Sequence, residues 1–292
     1  MASRQSITLD DGRRVAYRIY GDPDGFVVLS CHGGLMSGRD ASASDAEARR
    51  LGIALVSPDR PGIGGTSRRP GHRMRDWVND DVTALLGALG ASGLGVDRFG
   101  VTGWSEGGQY ALAVAHAFPE RVTRVAVVAG ALPLDDPATL AELNLTDRAM
   151  AVLSARAPRL AWLAFALTGA LARRLPRLAA AFSGLALDAS DAGVLRRHAR
   201  WFGRSVADGL TDAQGGVEEY HAFVAPWGFE PEEVRVPVTV HQGGADRLIP
   251  ARWAERLVAR LPDARLRRYP GEGHFIVHSR RAAILAEFAS TP

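Results

Sequence analysis

The sequence predicts an α/β protein: a mostly parallel central sheet flanked by helices, with an α-helical cap inserted between two of its strands. Three observations lead to this reading. Short apolar runs at residues 7–9, 15–20, 27–30, 54–57, 99–102 and 125–128 alternate with helical patterns such as 42–51 and 76–89, an alternation that implies a parallel sheet. From about 134 to 230 the strand signals stop, and the chain becomes rich in Ala, Leu and Arg at helical spacing. From 231 to 292 strand and helix alternate again. The core is therefore expected in residues 1–133 and 231–292, with a cap over 134–230. Such a cap would lie above the C-terminal strand ends, where open α/β sheets place their chemistry.

Taken in chain order, the run 27–30 leads into His32-Gly33-Gly34, and the run 54–57 into Asp59-Arg60-Pro61-Gly62-Ile63-Gly64. The run 99–102 leads into Gly103-Trp104-Ser105-Glu106-Gly107, after which Tyr110, Ala113, Val114 and Ala117 recur at helical spacing until Pro119. Strand, serine and helix in that order form a turn that exposes a nucleophilic hydroxyl. Glycines two before and two after the serine remove side chains that would clash in the bend, and Gly108 lets the helix start approach closely. The helix N-terminus aims free N–H groups at any oxyanion beside Ser105.

A serine needs a base, and the base needs an orienting acid. His274 follows the strand-like 266–269 in a glycine-rich turn, and Asp246 follows the apolar run 236–240. Asp135 and Asp136, several residues beyond the run 125–128, are rivals for the acid. Asp246 is favoured because it sits directly at its strand end.

These strings together resemble the α/β-hydrolase fold superfamily of capped serine hydrolases, the esterase and proline-iminopeptidase-like branch. One departure is Ser67, which falls a residue later than the family's strand-end turn would place it. The resemblance implies Ser105 as nucleophile, His274 as base and then acid, and Asp246 as the group fixing the imidazole tautomer. It implies an oxyanion hole from the backbone N–H groups of Gly34 and Glu106. Substrate contacts are expected from His32, Leu35 and Trp104, and from the cap residues Trp162 and Trp201. His32 has a second reading as a brace for the oxyanion loop. No cofactor is implied.

The implied activity is hydrolysis of a small, largely apolar ester, lactone or related acyl substrate through an acyl-enzyme. A proline-iminopeptidase-like aminopeptidase and a carbon–carbon bond hydrolase use the same triad. The aminopeptidase would need cap acids to hold an amine, for which Glu142, Asp147, Glu218 and Glu219 are available. A biosynthetic cyclase or lyase, or a ligand sensor, would keep the fold without net hydrolysis. Glu106 stands apart, because a carboxylate beside a developing negative charge is unfavourable unless hydrogen-bonded or neutralised. It either pairs with an arginine or backbone N–H, or recognises a substrate amine or hydroxyl.

Composition narrows the classes. With 292 residues, 47% of them hydrophobic, the chain can bury a substantial core. All 35 basic residues are arginine, which removes Schiff-base chemistry on lysine and a P-loop lysine. The net charge of +3 is spread without a dense basic, aromatic-interleaved stretch, so nucleic acid is not an expected partner. The single cysteine, Cys31, reads as a buried strand thiol. No metal-ligand spacing occurs among the histidines, and His116 reads as a solvated helix residue. No signal peptide or membrane-length apolar run is present, so a cytoplasmic protein without a membrane partner is expected. The expected partner is a small-molecule substrate, with the cap as a candidate homodimer surface.

Overall fold

The computed structural model describes residues 3–289. Eight strands form one sheet in the order β1-β2-β4-β3-β5-β6-β7-β8. They are β1 (Gln5–Thr8), β2 (Arg14–Gly21), β3 (Phe26–Cys31), β4 (Ile53–Pro58), β5 (Phe99–Trp104), β6 (Val122–Val128), β7 (Val238–Gly243) and β8 (Ala264–Tyr269). β2 pairs antiparallel with β1 and β4, and all later neighbours are parallel. The central strands β3, β4, β5 and β6 are buried on both faces and read as continuous apolar runs, as parallel strands covered by helices must.

Helices α1 (Asp45–Arg50), α2 (Met74–Asp76), α3 (Thr83–Ala91) and α4 (Gly107–Ala117) follow the first strands. A π-helical stretch, Trp77–Val82, joins α2 to α3, so the segment expected as one regular helix contains a wide turn. Between β6 and β7 lie seven α-helices, a short 3₁₀ turn at Pro231–Glu233 and no strand: α5 (Pro137–Glu142), α6 (Leu145–Arg156), α7 (Pro158–Arg174), α8 (Pro176–Gly184), α9 (Ala189–Arg197), α10 (Ala199–Gly209) and α11 (Ala213–Phe223). Prolines at the first positions of α5, α7 and α8 start those helices without losing a hydrogen bond. α12 (Ala251–Arg260), α13 (Ile276–Ser279) and α14 (Arg281–Ala289) complete the core.

The turn from β5 to α4 positions the chemistry. Ser105 has φ 56°, a left-handed conformation costly for a residue with a Cβ. Its N–H donates to the Val128 carbonyl at 2.8 Å, and its carbonyl accepts from Gly108 N at 2.9 Å, so strand and helix together hold the strained residue. A Cβ on Gly107 would strike the backbone carbonyls of Cys31 and His32. Gly107→Ala is therefore expected to lower the unfolding midpoint by roughly 5 °C or more. Gly87→Ala, at a helical glycine with nothing within 4 Å of a new Cβ, is expected to leave it unchanged or raise it. Equal midpoints for the two variants in a thermal melt would contradict this packing.

Candidate active site

Asp246 lies just past β7 with its side chain fully buried. One carboxylate oxygen accepts the backbone N–H groups of Leu248 at 2.8 Å and Ile249 at 2.9 Å. The other accepts Gln242 Nε2 at 3.1 Å and His274 Nδ1 at 2.9 Å. Because a carboxylate only accepts, Nδ1 carries the proton and Nε2 is left as the basic nitrogen. Trp104 donates its indole N–H to the His274 carbonyl at 3.0 Å, fixing the loop from the other side. Asp135 is exposed, and Asp136 is occupied capping α5 through Ala138 N and Thr139 N.

Burial opposes protonation of His274. The charge and hydrogen bond of Asp246, with the charges of Asp191 and Asp147, outweigh it and raise the imidazole above its ordinary 6.5. A base must be neutral to accept a proton, so activity should rise with pH through that raised value. The acid limb of kcat/KM is expected above 6.5. Asp246→Asn should lower kcat by about 10³–10⁴, whereas Asp136→Asn should change it less than threefold; similar losses, or an acid limb below 6.5, would contradict the assignment.

Ser105, Glu106, Gly33, Gly34, Leu35, Trp104 and His274 line one cavity of about 430 Å³. No hydrogen bond joins Ser105 to His274, a looseness common in unliganded triads. Gly34 N–H and Glu106 N–H make no protein hydrogen bond among the described residues, whereas the adjacent Gly33 N–H and Leu35 N–H are taken by Asp40 and Glu219. Two free donors beside a strained serine can hold an oxyanion.

Of the five expected substrate contacts, Leu35 and Trp104 line this cavity and three do not. His32 is buried: its Nδ1 bonds the Gly33 carbonyl at 2.9 Å and its Nε2 accepts Arg60 N at 3.2 Å, so it braces the oxyanion loop. Trp201 donates to the Asp40 carbonyl at 2.9 Å and packs behind Trp104, with ring centroids 6.4 Å apart. Trp162 is 45% exposed on the outside of the cap. Helical periodicity defines two faces without saying which looks inward, and the inward aromatics are Phe182, Phe202, Tyr220 and Phe223. His116, expected to be solvated, stacks on Phe229 at 4.7 Å.

Two carboxylates of the helical insertion that sequence reasoning missed, or left undistinguished, reach the loops carrying Leu35 and His274. Glu219 on α11 accepts Leu35 N at 3.0 Å and takes the buried Arg60 through Nε at 2.9 Å and Nη2 at 2.7 Å. Arg60 also donates to the His32 and Gly33 carbonyls. Asp191 on α9 accepts His274 N at 2.7 Å and Phe275 N at 2.8 Å. Burial, then the adjacent Asp188 side chain, pushes the Asp191 carboxyl up to about 7. Asp191→Asn can offer only one acceptor to those two N–H groups and deletes a charge that raises His274. It should lower kcat about tenfold and move the acid limb to lower pH; an unmoved limb would reduce Asp191 to a packing role.

Glu106 is 4% exposed, and one of its carboxylate oxygens lies against Gly34, where a Cβ would come within 2.6 Å. The other has no hydrogen bond and stands 3.9 Å from Arg60, whose guanidinium is committed to Glu219. Burial, and then the Glu219 charge, raise the Glu106 carboxyl well above its ordinary range. A protonated Glu106 spares the oxyanion site a second negative charge. Of the cap acids, Glu142 pairs with Arg252 and Arg256, Glu218 with Arg68 and Glu219 with Arg60, which leaves Asp147 on the cavity wall.

The family model described as alpha/beta hydrolase fold matches residues 27–280. The chain belongs to the α/β-hydrolase fold family. Among curated proteins it is similar to a pimeloyl-acyl-carrier-protein methyl ester esterase of Aromatoleum aromaticum, 29% identical over 248 residues, 81% of this chain and 87% of that one. Among solved structures it superposes on a probable hydrolytic enzyme of Pseudomonas aeruginosa PAO1, with TM-score 0.75, 19% identity, and 100% and 95% of the two chains covered. An enol-lactonase of Burkholderia xenovorans LB400 gives TM-score 0.69 at 18% identity, with 97% of each chain covered. At these identities the superpositions establish the fold, and the esterase-type relatives support an ester-hydrolysing enzyme. No helix among the described residues is long and apolar enough to cross a membrane.

Proposed function

We propose that this protein is a serine esterase that opens a small, largely apolar ester or lactone through an acyl-enzyme on Ser105. The observation that carries the reading is the meeting of Ser105, the Asp246-oriented His274 and two free backbone donors in one cavity lined largely by apolar side chains. Ser105 Oγ attacks the carbonyl carbon while its proton passes to His274 Nε2. Gly34 N–H and Glu106 N–H hold the oxyanion. His274 then protonates the departing alkoxide, leaving the acyl group on Ser105. Water, deprotonated by His274, attacks the acyl carbon, and the proton returns to Ser105 as the acid leaves. The curated relative is named for a methyl ester, which agrees with this class.

The cavity sits near the lower end of the roughly 300–1,000 Å³ usual for ligand sites. Short acyl chains should therefore be preferred over long ones. Ser105→Ala should retain less than about a thousandth of wild-type kcat with an unchanged melting curve, and greater retention would require another nucleophile.

An amine-bearing substrate is a second reading, favoured by one observation: the carboxyl side chains on the cavity wall are Glu106 and Asp147, and none of the 35 arginines lines it. Glu106→Gln keeps the backbone donor and removes a carboxyl that a bound amine would ionise and pair with. For matched esters, the amine reading predicts a kcat/KM loss of about tenfold or more confined to the amine-bearing one. Equal losses for both, with a lower melting midpoint, would make Glu106 purely structural.

A further inference from the structure

Ten large hydrophobic side chains are exposed among the described residues, at 44–80% of their surface, and all ten lie between residues 145 and 185, on α6, α7, α8 and their connections. On α7 they include Leu160, Leu163 and Leu167, spaced to share one face, with Trp162 on an adjoining face beside Gln214; on α8 they include Leu178 and Phe182. The opposite side of α7, with Ala161, Phe165, Gly169 and Ala172, is the buried side. Scattered exposed leucines need no explanation, but ten confined to one segment of the surface form an unpartnered patch.

The same segment holds six arginines and one carboxylate, a local charge of +5 against +3 for the whole chain. Arg156, Arg159, Arg173, Arg174 and Arg177 are exposed, and none of the six makes an ion pair among the described residues. Several surface arginines elsewhere pair, as Arg252 and Arg256 do with Glu142, and Arg260 with Glu230 and Glu232, while exposed Arg196, Arg197, Arg235 and Arg265 do not. Leucines, a tryptophan and a phenylalanine edged by unpaired arginines form the composition of a helix that lies in the plane of a lipid surface.

We propose that the α6–α8 face of the cap docks on an anionic lipid surface. Charge selects this occupant over a second copy of the chain, since two such faces would bring +5 against +5. Continuity with the cavity supports it as well: Phe182 is 58% exposed on this face and also lines the Ser105 cavity, with Ser183 and Ala186 beside it. A docked cap thus sets the mouth of the cavity against the phase in which an apolar ester concentrates. The sequence expectation of no membrane partner rested on the lack of a spanning run, which a helix lying on a surface does not require.

The experiment is co-sedimentation of the full chain with vesicles of phosphatidylcholine alone and of phosphatidylcholine with phosphatidylglycerol. The wild type should partition about tenfold or more in favour of the anionic vesicles, and added salt should weaken it. Leu160→Ser/Leu163→Ser/Leu167→Ser should lose about tenfold of that partition while hydrolysing a water-soluble short ester within twofold of wild type, because none of the three touches the Ser105 cavity. Arg173→Glu/Arg174→Glu should lose it too, with the same esterase rate. No partition, equal partition to both vesicle types, or undiminished binding by the triple leucine variant would overturn the proposal. So would a wild-type dimer in sedimentation velocity that the triple variant dissociates, or binding to an acidic protein with none to vesicles.

Discussion

Two of the loops that would carry out the chemistry have backbone N–H groups held by carboxylates from the helical insertion. Glu219 holds the oxyanion loop at Leu35, and Asp191 holds the histidine loop at His274 and Phe275. A carboxylate accepting two N–H groups, or one N–H group and a guanidinium, makes charge-assisted bonds of fixed direction in a water-poor setting. The helical insertion therefore contributes walls to the cavity and also holds the loops carrying Leu35 and His274, which belong to the core. Displacing α9 or α11 would move the chemistry even with Ser105 and Asp246 undisturbed.

The same arrangement sorts the buried charges. Arg60 is enclosed and committed to Glu219 and to the His32 and Gly33 carbonyls, so little of it remains for Glu106. An enclosed carboxyl without a partner is stable only in its neutral form. Beside two free backbone donors that form suits the proposed mechanism, because an oxyanion held there would meet N–H dipoles without a fixed negative charge next to them. Asp191 follows a related logic: burial and the neighbouring Asp188 push its carboxyl up to about 7.

Much of the core was legible because its signals are local. Gly103 to Gly107 form a five-residue turn between an apolar run and a helical repeat, and Asp246 and His274 each stand a few residues past a strand. The cap was legible as helices, but its orientation was not. Trp162 and Trp201 obey the same periodicity as Phe182 and Phe202, and only packing separates those that face Ser105 from those that do not. Asp191 left no spacing signal, since it binds backbone groups 83 and 84 residues away. Its place just inside the start of α9 reads in sequence as ordinary helix capping. The π-helical stretch Trp77–Val82 was also invisible, because apolar spacing tolerates one extra residue in a turn.

Under the proposed mechanism, Ser105 is the one activated nucleophile of the protein. Intact mass measurement after exposure to a fluorophosphonate, followed by peptide mapping, tests it most directly. The account predicts a single adduct on Ser105 whose rate of formation rises with pH through the titration of His274. No adduct, or one on any other residue, would contradict it.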